Sequence, residues 1–244
     1  MTTEVLTLAG IDIEIVQEQI KNLHIGVYPP DGRVRVAAPP SMSFDAVRVA
    51  ILTRLPWIER KRLGFVLQQR EGHRSYVSGE THWFWGRPLR LRVEPNLKGH
   101  SQLAVVGNDG LLMRVTPEAE QTVRERLVLQ WYRKELRTRA HLYVRKWSKV
   151  LSLPEPKFGV KRMRTKWGSC SPQTGRVWFN LSLVKKPMHC LDYVVLHEMA
   201  HFISARHDDA LVDVLDHRMP SWRQTRAELN ALPLDFWDTS DHPS

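Results

Sequence analysis

Short runs of alternating apolar and polar residues occupy roughly the first 115 positions of the chain, and this is the pattern of β-strands. Two runs flank Ala9-Gly10, and two more flank the Pro-Asp-Gly turn at 30–32, so each pair predicts a β-hairpin. More sheet is predicted over 76–93, and another hairpin over 103–115. The N-terminal part of the chain is therefore expected to be rich in β-structure.

Longer stretches with helical spacing predict two helices in the same part of the chain. The first runs from Ser43 to about Gln69, and we expect it to break at Leu55, because Pro56 disfavours α geometry in the preceding residue. The second spans 116–151 and contains nine lysines and arginines. The sequence thus predicts a long basic helix after the β-rich part.

The linker at Pro154 and Pro156 divides the chain into two predicted regions. Residues 1–153 form a β-rich N-terminal region with the basic helix, and residues 154–244 form a catalytic region. In the second region, two strands and a helix are predicted over 158–167, 177–183 and 187–201. Because the linker is very short, we expect the two regions to pack as one compact unit.

The composition is that of an ordinary soluble protein, with 42% hydrophobic and 25% charged residues among 244. No stretch approaches the roughly 18 apolar residues of a membrane span, and the N-terminus lacks the pattern of a signal peptide. Cys170 and Cys190 are the only cysteines and lack the CxxC pairs of a zinc ribbon. These features predict a cytoplasmic protein without disulfides.

The net charge is +10 and is unevenly distributed. Residues 1–153 contain 24 Lys and Arg against 15 Asp and Glu, whereas residues 154–244 contain 12 against 11. A basic face attracts nucleic acid, acidic proteins or anionic small molecules, although a solvated basic surface has the same composition. A nucleotide or nucleic-acid partner bound through the basic N-terminal region is therefore one prediction.

The segment from His197 to His201 is an HExxH motif. Residues four apart share one face of a helix, so both imidazoles can bind one metal ion, most often zinc. Glu198 is the candidate general base, which takes a proton from a water activated by the metal and passes it to a leaving group. The mostly apolar segment 191–196 indicates a largely buried helix, where these polar groups are costly without partners.

A catalytic zinc needs a third protein ligand and one open position. His207 is the first candidate, because it lies six residues after His201 and a short turn can bring it back to the metal. The spacing matches HExxHxxGxxH except that Ser204 replaces the glycine, so we expect a different turn. The other candidates for the third ligand are Asp208, Asp209, Asp213 and His217.

Three segments of the second region carry a likeness to a known family: 164–170 with the sequence RTKWGSC, 179–181 with FNL, and 191–201 with the HExxH motif. They resemble the YgjP-like metallopeptidases, which are relatives of the SprT-like zinc proteases. His207 falls where that family has its third histidine. The segment 219–222 is similar to the family's downstream Met-Pro-x-aromatic sequence.

The resemblance implies an α+β fold with a zincin-like mixed sheet and the HExxH helix packed beneath it. It implies that His197, His201 and His207 bind Zn and that Glu198 is catalytic. The β-rich N-terminal part and the long basic helix precede this core.

The resemblance also implies a strand edge beside the metal that can bind an extended peptide. We place the hairpin of residues 161–183 there, with Arg164 and Trp167 near the cleft. Gly168 would allow a close approach of the backbone.

These features predict a zinc-dependent hydrolase, specifically a metallopeptidase acting on a peptide or protein substrate. Two alternatives remain open. The same site could hydrolyse a nucleotide phosphoanhydride with phosphates held by the basic N-terminal region, although the sequence has no Gly-rich phosphate loop. The chain could also be a DNA-associated protease whose basic helix at 116–151 docks on nucleic acid and brings the site to a bound protein.

Overall fold

The computed structural model describes residues 3–28, 32–67, 74–96, 99–163 and 165–232, and it has a mixed α+β fold. Two compact units are present, one within residues 1–71 and one within residues 72–232. Each unit has its own hydrophobic core. Within the described residues, no helix is long and apolar enough to cross a membrane.

The first unit contains a four-stranded sheet and one long helix. Its elements are β1 (Thr3–Leu8), β2 (Ile11–Gln17), β3 (His24–Tyr28), β4 (Arg33–Ala38) and α1 (Phe44–Leu67). The strand order is β1-β2-β4-β3, with β2 and β4 parallel and the other neighbours antiparallel. The two predicted hairpins are confirmed, and Ala9 and Gly10 make the first turn with positive φ angles.

Helix α1 does not break at Leu55 as the sequence predicted; it continues through Pro56. Ile51 and Ile58 lie on either side of the proline, and both are fully buried in the core of the first unit. The proline removes one backbone hydrogen bond, but apolar burial on both sides stabilises the continuous helix. The prediction of a break was therefore wrong.

The second unit begins with a sheet of the same topology. Its elements are β5 (Thr81–Phe84), β6 (Arg87–Pro95), β7 (Gln102–Val106), β8 (Gly110–Val115) and α2 (Gln121–Leu151). The strand order is β5-β6-β8-β7, with β6 and β8 parallel. Two hairpins joined by an inner parallel pair, followed by a long helix, thus occur twice along the chain. No repeat is visible in the sequence itself.

Helix α2 begins at Gln121, five residues after the predicted start at Thr116. The intervening residues form a turn in which the Ala119 amide donates to the Thr116 carbonyl. The Arg124 guanidinium donates to the Ala119 carbonyl at 2.8 and 3.0 Å and so stabilises this turn. The Thr-Pro sequence therefore begins a turn that leads into the helix, and not the helix itself.

A second, three-stranded sheet and three helices complete this unit. They are β9 (Lys157–Lys161), β10 (Gly168–Ser171), β11 (Arg176–Asn180), α3 (Met188–Ala200), α4 (Asp209–Arg218) and α5 (Trp222–Ala231). The strand order is β10-β11-β9, so β10 is an edge strand. Phe179, Leu191 and Leu196 are fully buried between this sheet and the helices.

The division predicted at 153/154 falls inside the second unit, between α2 and β9. Helix α2 precedes this point and packs against α3, which follows it. Two side chains of α2, Lys146 and Trp147, donate hydrogen bonds of 2.8 and 2.6 Å to the Asp192 carboxylate on α3. The basic helix therefore belongs to the same packed unit as the HExxH segment.

We expect His82, on β5, to make the stability of the second unit depend on pH. His82 is 1% exposed, and burial, with Arg74 and Lys185 nearby, lowers its pKa to about 4 despite the opposing Glu80. The unfolded chain binds a proton near pH 6.5, so stability is present above that pH and is lost as the pH falls toward about 4. The expected loss is about 2–3 kcal/mol between about pH 7.5 and pH 4.5.

Denaturant unfolding of the metal-free protein at both pH values measures this loss. His82→Gln should remove most of the pH dependence that His82 contributes, whereas His100→Gln, at an exposed position, should leave it in place. An equal pH dependence in the wild type and His82→Gln would contradict the assignment.

Candidate metal centre

Three imidazoles converge at the end of α3. His197 lies in the last turn of the helix, His201 follows it directly, and His207 comes from the loop before α4. The Nε2 atoms of His197 and His207 are 3.2 Å apart, and the ring centroids of the three histidines lie 4.7–5.1 Å from one another. Each ring can therefore direct one nitrogen to a common point.

The electrostatics of these rings suit metal binding. Burial, with His201 and His207 nearby, lowers the pKa of His197 to about 4, and burial also lowers the pKa of His201. Both rings are therefore neutral at neutral pH, and a neutral imidazole is the form that binds metal. Three imidazole nitrogen donors favour zinc and related transition metals over magnesium or calcium.

The turn between His201 and α4 orients the second and third rings. His201 Nδ1 lies 3.1 Å from the Ser204 carbonyl, an arrangement that leaves Nε2 available as a ligand. The Ser204 hydroxyl donates to the Asp208 carboxylate at 2.8 Å, and Asp208 in turn accepts from the Leu211 amide and caps α4. Ser204 does not adopt a positive φ, so the turn differs from one that requires glycine, as the sequence predicted.

Glu198 lies beside the histidines but is buried between α3 and β10. Burial raises its pKa to about 7, and Lys166 nearby opposes this shift. A Cβ atom added at Gly168 would lie 2.6 Å from both Cγ and Oε1 of Glu198. Gly168 therefore leaves the space that the Glu198 side chain occupies, and the close approach expected at this glycine is to a side chain.

The same face of β10 also presents Cys170 toward α3. Burial, with Glu198 nearby, raises the pKa of the Cys170 thiol to about 11. The thiol is therefore protonated at neutral pH and is not a reactive nucleophile. Together, Gly168 and Cys170 account for the Gly-Ser-Cys sequence of this strand.

We expect Gly168→Ala to lower activity without removing the metal. The new methyl group must displace the Glu198 side chain by a large fraction of an ångström, and displacements of this size cost about 10- to 100-fold in rate. The measurement is kcat/KM for a cleaved peptide together with the metal content. Ser169→Ala, on the opposite face of the same strand, is the matched control and should keep both values. Unchanged activity in Gly168→Ala would show that Glu198 needs no such space.

Asn180 fixes the loop that leads into β10, which was not foreseen from the sequence. Its side-chain amide donates to the carbonyls of Met163 and Lys166 at 2.9 and 2.8 Å, and its Oδ1 accepts from the Ser182 amide. The backbone N–H of Asn180 donates to the Trp167 carbonyl. A buried asparagine at the end of a strand was the available signal, because such a residue needs several partners.

Two aromatic residues support the first histidine. Tyr193 lies one helical turn before His197, with ring centroids 5.8 Å apart, and its other neighbour is Trp222 on α5 at 6.3 Å in a stacked arrangement. Trp222 donates to the Asp216 carboxylate at 2.6 Å, which fixes the position of the indole. Trp222, the aromatic residue of the Met-Pro-x-aromatic sequence, therefore contacts Tyr193, which in turn contacts His197.

The remaining sequence candidates either make other contacts or lie outside the described residues. Trp167 donates to the Asn230 side chain on α5 at 3.2 Å, and Arg164 lies outside the described residues. His217 Nδ1 lies 2.7 Å from the Asp213 carbonyl. Among the described residues, Asp208, Asp209, Asp213 and His217 are not part of the cluster formed by the three histidines.

A second group of ligand types lies at the other end of α3 and comprises His189, Cys190 and Glu228, with ligand atoms within 4.8 Å of one another. His189 Nε2 and a Glu228 oxygen are already in contact at 2.6 Å. Cys190 is fully buried, and burial raises its pKa to about 12. His189 and Glu228 thus already contact each other, and the Cys190 thiol is protonated at neutral pH. We therefore assign no metal to this group.

Comparisons with solved structures and with curated proteins show limited similarity. Two solved structures with partial similarity are metallopeptidase zymogens. Jannalysin of Methanocaldococcus jannaschii has 21% identity and a TM-score of 0.34, over 37% of this chain and 92% of that chain. Abylysin of Pyrococcus abyssi has 12% identity and a TM-score of 0.35, over 39% of this chain and 99% of that chain. No curated protein matches the sequence.

The family comparison covers most of the chain. A family model described as YgjP-like, metallopeptidase domain, matches residues 21–232. The match includes all three converging histidines and Glu198, and a metallopeptidase domain implies a metal ion. This chain therefore belongs to the YgjP-like family of metallopeptidases, as the resemblance of its motifs predicted.

Proposed function

We propose that this protein is a zinc-dependent metallopeptidase with a zincin-like catalytic core, in which His197, His201 and His207 hold the ion and Glu198 moves the proton. The observation that best supports this proposal is the convergence of three imidazoles beside one buried carboxyl group. Three histidine ligands with one open position are the donor set of many catalytic zinc sites. When bound, zinc supplies a Lewis acid that activates water and polarises a carbonyl group.

Glu198 is the group that transfers protons in this mechanism. Its carboxylate accepts a proton from the attacking water and delivers it to the nitrogen of the leaving amine. A carboxyl group with a pKa near 7 is suited to both steps, since it neither holds nor releases the proton too strongly at neutral pH. Gly168 and Cys170 of β10 enclose this carboxyl group and exclude bulk water from one side.

The edge of β10 is the proposed binding surface for an extended peptide. Within the part of the chain that the structure describes, β10 pairs with β11 on one side only, so its other edge offers backbone amides and carbonyls. A peptide strand added to this edge would run beside Glu198, because Gly168 at the start of β10 contacts that side chain. Main-chain pairing of this kind binds many sequences, so we expect selectivity to come from side chains around the edge.

Peptide hydrolysis in heavy-oxygen water tests the proposal directly. The purified protein is stripped of metal, given zinc, and mixed with a peptide library in water enriched in ¹⁸O. Mass spectrometry then identifies cleaved peptides whose new carboxyl groups carry ¹⁸O. We expect cleavage in the zinc-loaded protein and none in the metal-free protein.

The nucleotide alternative is separated in the same experiment. Nucleoside triphosphates replace the peptides, and release of phosphate or pyrophosphate is measured. A zinc-loaded protein that cleaves no peptide and hydrolyses nucleotides would overturn the peptidase proposal and support phosphoanhydride hydrolysis at the same centre.

A further inference from the structure

The outer face of the sheet formed by β9, β10 and β11 carries an indole ring lying flat on the backbone. Trp178 on β11 is paired with Gly159 on β9. A Cβ atom added at Gly159 would lie 2.3–3.0 Å from three atoms of the six-membered indole ring. The glycine therefore allows the ring to lie across the neighbouring strand. Trp178 is half-buried, and its neighbours Val177 and Phe179 point into the core on the other face.

Two cations lie over this ring at cation–π distance. The Lys161 ammonium lies 4.9 Å from the ring centroid, and the Arg176 guanidinium carbon lies 5.5 Å from it. Both side chains are exposed, and so is Lys157. Lys157 on β9 lies opposite Arg176 on β11 in the strand register, so its side chain is on the same face of the sheet. Among the described residues, none of these three cations forms an ion pair with a carboxylate.

The basic surface continues into an open groove between α2 and β9. The groove has a volume of about 820 Å³, and its charged and titratable lining residues are Arg137, His141, Glu155, Lys157 and Arg176. Glu155 is the one carboxylate in this lining, and it lies 4.0 Å from Arg145. We call the groove and the face around Trp178 the basic track.

The net charge of residues 154–244 is close to zero, and it therefore does not indicate the basic track. Residues 156–191 contain eight Lys and Arg and no Asp or Glu, whereas residues 192–244 contain four Lys and Arg against ten Asp and Glu. The charges of the two segments nearly cancel, although the first contains the sheet and the described part of the second, residues 192–232, is mostly helical. Positive charge is thus concentrated on and around the three-stranded sheet.

We propose that the basic track binds single-stranded nucleic acid, with one base stacked on Trp178 and phosphates contacting Lys161, Arg176, Lys157 and Arg137. A half-buried indole with mobile cationic side chains over it matches the two requirements of single-strand binding, which are an aromatic surface for base stacking and a positive path for the backbone. A duplex offers phosphates but keeps its bases stacked inside, so it cannot use the ring. An acidic peptide would use the cations but gains little from a flat indole.

This surface differs from the one that the sequence predicted for nucleic acid. The nucleic-acid partner was expected on the basic helix at 116–151, but only Arg137 and its neighbours on α2 line the track. None of the three converging histidines belongs to it. The inference therefore stands independently of the proposed peptidase activity, and the two can fail separately.

Fluorescence anisotropy with the full chain tests this inference. The probe is a labelled single-stranded oligonucleotide of about 15 nucleotides, and chelator is present so that the metal centre is not involved. We expect Trp178→Leu, which keeps an apolar cover over Gly159, to weaken binding about 10-fold. The double change Lys161→Gln with Arg176→Gln should weaken binding at least as much and reduce the slope of log affinity against log salt by about 1.4.

The matched control removes the same charge elsewhere in the second unit. Arg92→Gln with Arg114→Gln alters two exposed arginines that already pair with Glu94, and it should change affinity less than about 2-fold. Equal loss in the control would overturn the site, because binding would then follow net charge alone. A duplex or a poly-glutamate peptide that binds as tightly as the single strand would overturn the role of Trp178, as would no measurable binding of the single strand.

Discussion

Replacement of Glu198 by glutamine is expected to lower kcat for peptide cleavage by about 1,000-fold while leaving zinc in place. Glutamine keeps the size of the side chain beside Gly168 but cannot accept the proton of the attacking water. General acid–base groups contribute about 10²–10⁴-fold to rates, so the loss should fall within that range. The measurement combines initial rates on a cleaved peptide with the zinc content of the same sample.

A second glutamate provides the control for this change. Glu228→Gln alters an exposed residue of α5 that contacts His189, and it should keep the wild-type rate. If Glu198→Gln retained most of its activity with zinc bound, Glu198 would not be the proton-transferring group. If it lost zinc as well as activity, its role would be in metal binding, and the proposed mechanism would need a different base.

The second large effect is expected from the metal ligands. His197→Ala, His201→Ala and His207→Ala should each lower zinc affinity by more than about 100-fold, because even the partners of metal ligands contribute about 10- to 100-fold. Among the three variants, His207→Ala is the clearest test of metal binding, because His207 is exposed on a loop and its removal should not disturb the core. Competition with a chromophoric chelator measures the affinity, and elemental analysis measures the stoichiometry.

Two other histidines serve as controls for this series. His189→Ala, at the start of α3, and His217→Ala, on α4, should keep one zinc per chain. Full affinity in His207→Ala would contradict the assigned third ligand. Loss of zinc in His189→Ala would instead point to the group formed with Cys190 and Glu228.

The convergence of three histidines was largely predictable from the sequence because these residues lie close together along the chain. His197 and His201 are fixed by helical spacing, and His207 is only six residues further on, so a short turn can return it to the same point. The family assignment followed from the same residues. The choice of zinc and the role of each residue remain proposals, since they depend on a bound ion.

The environment of the site was less predictable because it depends on contacts between distant segments. Nothing in the sequence around Gly168 indicates that its missing side chain makes room for Glu198, thirty residues away. Asn180 and Trp222 support the site through contacts with the loop before β10 and with Tyr193, and neither contact has a local pattern. Side-chain periodicity describes one element at a time, so it cannot identify such partners.

The fold, too, was predictable from the sequence only where its contacts are local. The predicted hairpins were confirmed, but the parallel pairing of β2 with β4 and of β6 with β8 was not foreseen, because it joins separate hairpins. The repeated topology was missed for the same reason, since strand order can repeat where residue identity does not. At Pro56, local propensity predicted a break that the buried neighbours of the proline prevent.

The short turn between His201 and Asp208 connects metal affinity with the stability of the packing of α4 against the end of α3. If His197, His201 and His207 hold one ion, its binding free energy would also resist the separation of α4 from the end of α3. A change that loosens the turn would lower the fraction of molecules in which the three imidazoles converge, and the apparent affinity for the ion would fall with that fraction. We therefore expect the Ser204 hydroxyl, which donates to Asp208 and contacts none of the three imidazoles, to contribute indirectly to metal affinity.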